Sequence, residues 1–79
     1  LTRLENWLKR FRVKAKDRRL RITLNPEMVD YIYQTKSKVI SGFMWENWML
    51  IEIQKDTHLP PHEFRVYSKK RREDVTEEV

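Results

Sequence analysis

Apolar residues recur in two rhythms along this chain, and each rhythm predicts an element. Leu1, Leu4, Leu8 and Phe11 repeat at helical spacing with Trp7 beside them, which predicts a first helix. Thr2 followed by Glu5 has the form of a capping box, so the helix is expected to start near Thr2. Arg12 to Arg19 makes a basic connector. Leu20, Ile22 and Leu24 then alternate with Arg19, Arg21 and Thr23, the period-two pattern of a half-buried strand. Asn25-Pro26-Glu27 stops that strand and opens a second helix. Asn25 can cap it, Pro26 suits its first position, and Glu27 favours its positive end. This helix can bury Val29, Ile32, Tyr33, Ile40, Phe43 and Met44 on one face. Lys36 falls along the edge of that face with its amine in water. Gly42 predicts a kink or close packing, and Asn47 predicts a left-handed C-cap.

Met49, Ile51 and Ile53 share one face of a second strand. A loop from Asp56 to Pro61 holds two prolines. Phe64, Val66 and Ser68 alternate with Arg65 and Tyr67 as a third strand. A single small domain is expected over residues 1–68, with residues 69–79 as a charged, flexible tail. The order is α-β-α-β-β. The long helix between the first two strands allows a right-handed crossover, so those strands are expected to be parallel neighbours. Strands two and three are expected to pair as a hairpin through a wide loop. The predicted fold class is α+β, a small two-layer sandwich with one three-stranded sheet backed by helices.

Composition narrows the chemistry. A chain of 79 residues is one domain at most and builds a small core, although nine aromatics are a good payload for it. The absence of cysteine excludes disulfides and thiolate metal sites. Gly42 is the only glycine, which excludes a glycine-rich phosphate loop and the Gly-x-x-Gly clamp of a KH domain. No run approaches the ~20 apolar residues of a membrane span. No basic-then-apolar leader is visible, so a cytoplasmic location is the expectation.

Charge is uneven. The net charge is +5, yet residues 1–24 carry nine basic and two acidic side chains, while residues 57–79 carry five of each. The surplus lies between Lys9 and Arg21. A second basic run, Lys69-Lys70-Arg71-Arg72, precedes the acidic stretch Glu73 to Glu78. Clustered cations suit a phosphate backbone, because each neutralised phosphate releases counterions. Lys14, Lys16, Arg18, Arg19 and Arg21 are therefore the candidate contacts for a nucleic acid, RNA if the resemblance given below holds, bound weakly and electrostatically. The competing reading is a solvated helix face.

Other chemistry is sparse. His58 and His62 are four apart, but Pro60 and Pro61 forbid the helix that would let them share a metal, so no metal site is expected. Asp56 and His58 could act as an acid/base pair, yet no supported nucleophile accompanies them. Phe64 and Tyr67 could stack on bases, or serve as a core Phe and one exposed Tyr. Trp45 and Trp48 cannot both face the core with Phe43 and Met44. Trp7, Phe11, Trp45 and Trp48 are thus the candidate partner surface.

Two stretches carry a resemblance. Arg21-Ile22-Thr23-Leu24-Asn25-Pro26-Glu27-Met28-Val29-Asp30-Tyr31-Ile32 is a strand running into a proline-headed helix. Ile51-Glu52-Ile53-Gln54-Lys55-Asp56 is a strand that leads through a short loop to Pro61-His62-Glu63-Phe64-Arg65-Val66. Together they resemble the C-terminal small domain of the ribonuclease E/G family, over roughly Leu4 to Ser68. The resemblance implies an accessory domain of an endoribonuclease that cleaves single-stranded RNA, supporting homo-oligomer assembly and RNA handling. It implies that the magnesium carboxylate pair, the zinc link and the 5′-end sensor of such an enzyme lie outside this sequence. No catalytic or cofactor residue is carried over. The segment Phe43 to Trp48 is more aromatic than the charged helix end usual in the family. Two alternatives stay open: an independent KH-like nucleic-acid module, and a purely structural oligomerisation domain.

Overall fold

A computed structural model of the chain describes residues 2–78. The first helix, α1, spans Thr2–Lys14 and buries Leu4, Trp7, Leu8 and Phe11. Thr2 already lies within α1, and Leu1, the first residue of the predicted stripe, is outside the described residues. Strand β1 (Arg19–Leu24) keeps Leu20, Ile22 and Leu24 buried, as their alternation requires. Asn25 caps the next helix, its Oδ1 accepting from the Glu27 N–H at 2.9 Å, with Pro26 at the first position.

That helix is built in three parts. Helix α2 (Pro26–Tyr31) runs into a π-helical segment, Ile32–Lys36, and continues as α3 (Ser37–Asn47). The π segment inserts a wider turn, which shifts the phase of every later side chain. The Thr35 hydroxyl donates back to the Tyr31 carbonyl at 2.7 Å within it. Tyr33, expected in the core, is instead 60% exposed, and Phe43 and Met44 are only half-buried. The irregularity expected at Gly42 lies here instead, and a Cβ on Gly42 would meet nothing within 4 Å. The left-handed C-cap also moves by one residue. It is Trp48, at φ 55° and ψ 40°, while the Asn47 side chain donates to the Phe43 carbonyl and accepts from Arg12.

The sheet has four strands rather than three. Strand β2 (Leu50–Lys55) pairs parallel with β1, from Arg19 opposite Leu50 to Leu24 opposite Lys55. Strand β3 (Phe64–Ser68) does not form a hairpin with β2. It pairs antiparallel with the other edge of β1, Leu20 opposite Ser68 and Leu24 opposite Phe64. The order is β2-β1-β3-β4. The physical reason is burial. The core face of β1 holds three apolar residues at 3% exposure or less, so it gains most from a neighbour on each side, and the loop over residues 56–63 is long enough to carry the chain across.

Residues 69–78, expected as a flexible tail, are folded onto the sheet. Arg72 turns the chain at φ 57°, and β4 (Glu73–Asp74) pairs with Tyr67 and Ser68. Val75 is completely buried, and a 3₁₀ turn follows over Thr76–Glu78. Thr76 closes the structure: the Trp7 indole N–H donates to its carbonyl at 2.8 Å, and the Val66 N–H donates to its hydroxyl at 2.7 Å. The core residues come from α1, from the α2–α3 helix and from the strands, so the molecule is a small α+β fold with a four-stranded mixed sheet. The other sheet face is left to Arg19, Arg21, Thr23, Glu52, Arg65 and Tyr67.

Candidate nucleic-acid interface

Strand direction collects the cations. Because β1 and β2 are parallel, both begin at one end of the sheet, and antiparallel β3 finishes there. The connector into β1 brings Lys16, Arg18 and Arg19, and the exit from β3 brings Lys69 and Lys70. Backbone bonds lock the three segments together: Lys69 N–H donates to the Arg19 carbonyl at 3.1 Å, and Leu50 N–H donates to the Arg18 carbonyl at 2.7 Å. Lys16, Arg18, Arg19, Lys69 and Lys70 line one concavity of about 410 Å³, and no carboxylate lines it.

A buried pin orients this rim. Asp17 is 6% exposed and points inward, accepting from the Ser68 hydroxyl and from Arg71 Nε at 2.9 Å. Burial pushes its carboxyl up, but the Ser68 and Arg71 hydrogen bonds outweigh burial and hold it below the usual carboxylate range. With Asp17 turned in, Lys16 and Arg18 face solvent on either side of it. The Arg18 guanidinium also donates to the Ala15 and Asp17 carbonyls, which stiffens the connector.

The acidic stretch does not neutralise this corner. Asp74 and Glu77 pair with Arg65, while Glu73 and Glu78 pair with Arg71. Lys69 meets Glu52, whose carboxyl is held low by the Lys69 hydrogen bond and then by Arg21. Lys16, Arg19 and Lys70 have no carboxylate partner among the described residues. Unpaired cations gathered at one corner can take a run of phosphates.

Of the five cations predicted from sequence, Lys16, Arg18 and Arg19 converge on the concavity. Lys14 ends α1 and does not line it. Arg21 lies on the open sheet face, 5.4 Å over the Tyr67 ring, with its Nε 3.5 Å from Glu52. Lys69 and Lys70 were missed because residues after Ser68 read as a tail. Pairing β3 with β1 would have placed that basic run beside Arg19. The partner surface divides as well. Trp7 and Phe11 are 3% and 0% exposed and stack on each other at 4.7 Å, so they are core and not partner surface. Trp45 and Trp48 are 82% and 86% exposed.

The Phe64 ring packs edge-on against Trp7, with centroids 6.4 Å apart, which leaves Tyr67 as the aromatic on the open face. His58 makes a local turn: its N–H donates to Asp56 Oδ1 at 2.8 Å. Among the described residues no three His, Asp or Glu side chains converge as a metal requires, and no helix is long and apolar enough to cross a membrane. Comparison with known proteins finds no matching family model, no matching curated relative and no matching solved structure.

Proposed function

We propose that this chain is a non-catalytic accessory domain that holds single-stranded RNA by its phosphates, as the small domain of a ribonuclease E/G-like endoribonuclease would in RNA processing and decay. The observation that carries this reading is the concavity at the start of β1, where Lys16, Arg18, Arg19, Lys69 and Lys70 meet and, among the described residues, only Lys69 has a carboxylate partner. The assembly role implied by the same resemblance rests on less, since Trp7 and Phe11 are buried. Magnesium and zinc chemistry belong, on this reading, to other parts of such an enzyme.

Binding of this kind is weak and steep in salt. With about four phosphates engaged, the logarithm of the affinity should fall against the logarithm of salt with a slope of about −3. Reversing Arg19 and Lys70 together (Arg19→Glu, Lys70→Glu) should lower affinity for an RNA oligonucleotide at least tenfold at low salt and flatten the slope by about 1.4. Both side chains are exposed, so the circular dichroism spectrum should be unchanged. Equal affinity for the double variant and the parent would reduce the concavity to a solvated surface.

A further inference from the structure

The basic concavity does not end at Lys69. Arg19 and Lys69 also line a second depression with Met44, Leu50 and Ile51, and Met44 and Leu50 in turn line a third, with Trp45, Trp48 and Met49. Each shares two lining residues with the next, so the three adjoin in series near the start of β1 and β2. The third is an apolar hollow of about 390 Å³ flanked by two indoles that stand almost wholly in water.

The series changes character along its length. One end is cationic and the other aromatic, which is the pairing that single strands use: phosphates track the charge and bases stack on rings. Trp48 adds a second observation. It holds a left-handed backbone, φ 55°, which is costly for a bulky residue and adopted far more easily by Gly or Asn. The fold gains little burial in return, since the ring is 86% exposed. We infer that the hollow between Trp45 and Trp48 is a base-stacking subsite for single-stranded RNA, in series with the phosphate concavity. This rests on the phosphate-binding reading above and extends it.

A second copy of the chain is the competing occupant, and three features disfavour it. A two-fold interface over the whole series would place two basic rims in one contact, with no unengaged carboxylate lining either. Two indoles offer on the order of 500 Å², against about 800 Å² per partner in stable interfaces. The β2 edge that a copy would extend is already closed at its start, where the Ile51 N–H donates to Met44 Sδ at 3.2 Å. The only carboxylate along the series, Glu52, is engaged by Lys69 and Arg21.

The test compares a polyanion with bases to one without. Oligoadenylate RNA should quench the tryptophan emission, and inorganic polyphosphate should bind without quenching. Trp48→Gly suits the left-handed backbone, so it should remove the ring and keep the fold. It should weaken oligoadenylate binding about tenfold and leave polyphosphate affinity unchanged. Trp45→Ala, on an exposed helical position, should act in the same direction. If both variants bind oligoadenylate like the parent, or lose both ligands equally, the stacking subsite is overturned and the phosphate reading stands. Failure of the parent to bind either polyanion at low salt would overturn both. Dimers in analytical ultracentrifugation that Trp48→Gly abolishes and oligoadenylate does not dissociate would assign the hollow to a second copy.

Discussion

The two ends of the sheet each carry tryptophan, and they use it in opposite ways. At the end marked by Leu24 and Phe64, Trp7 is enclosed: it stacks on Phe11 at 4.7 Å, meets Phe64 edge-on and donates to Thr76 at 2.8 Å. At the end marked by Arg19 and Leu50, Trp45 and Trp48 stand exposed on a hollow lined by Met44, Met49 and Leu50. The C-terminal segment makes the difference. It lays Val75 and Thr76 over the first region and brings its carboxylates to Arg65 and Arg71. Among the described residues, none of its carboxylates pairs with Lys16, Arg19 or Lys70. A stretch that is neutral by count thus leaves one corner strongly positive, because its acids are spent on arginines elsewhere.

The comparison breaks most visibly at Trp7. Trp7→Ala removes the ring from both aromatic neighbours and leaves the Thr76 carbonyl without its donor. It should cost about 3–5 kcal/mol, a large part of the stability of so small a domain, read from the urea midpoint. A cost below about 1 kcal/mol would mean that the C-terminal segment does not close over α1.

Asp17 ranks next. Asp17→Asn weakens the pin to Arg71 and Ser68, and should cost about 2 kcal/mol at neutral pH. Arg71 keeps Glu73 and Glu78 as partners, which limits the loss. The pH sign follows from the lowered carboxyl. The unfolded chain binds the proton more readily, so the contribution is complete above the unfolded pKa and is lost as pH falls through the lower folded value. Urea curves of parent and variant should differ at pH 7 and approach each other as pH falls below the usual carboxylate range. A gap that stays constant with pH would show that packing, not charge, sets the effect.

Much of this architecture is legible in local patterns. The stripe of Leu4, Leu8 and Phe11, the alternation of Leu20, Ile22 and Leu24, and the Asn25-Pro26 helix start all describe contacts a residue makes within its own element. What fails is non-local. No periodicity tells that β3 chooses β1 over β2, and that choice decides whether Lys69 and Lys70 belong to the site. Val75 is a lone apolar residue among charges, so no pattern marks it, although it is fully buried. The π segment is equally silent: one wider turn turns Tyr33 out of the core while its sequence still fits the apolar stripe. Three of the five cations that line the concavity sit in one local run of sequence. The cations at the other wall came from the pairing of distant strands.

The smallest expected effect is also the sharpest probe of the open end. Trp48 contributes little burial to the fold, yet it occupies a backbone conformation that costs an L-residue roughly 1–2 kcal/mol. Glycine relieves that cost and gives back about 0.5–1 kcal/mol through the greater entropy of its unfolded chain. Trp48→Gly should therefore leave stability unchanged or raise it by up to about 1.5 kcal/mol, measured by the same urea midpoint that falls for Trp7→Ala. The opposite signs are the point of the pair: an enclosed indole whose loss unfolds, and an exposed one whose loss stabilises. A destabilisation of more than about 1 kcal/mol at Trp48 would mean that its ring packs on the fold after all, and an indole already satisfied by the protein has no free face to offer a base.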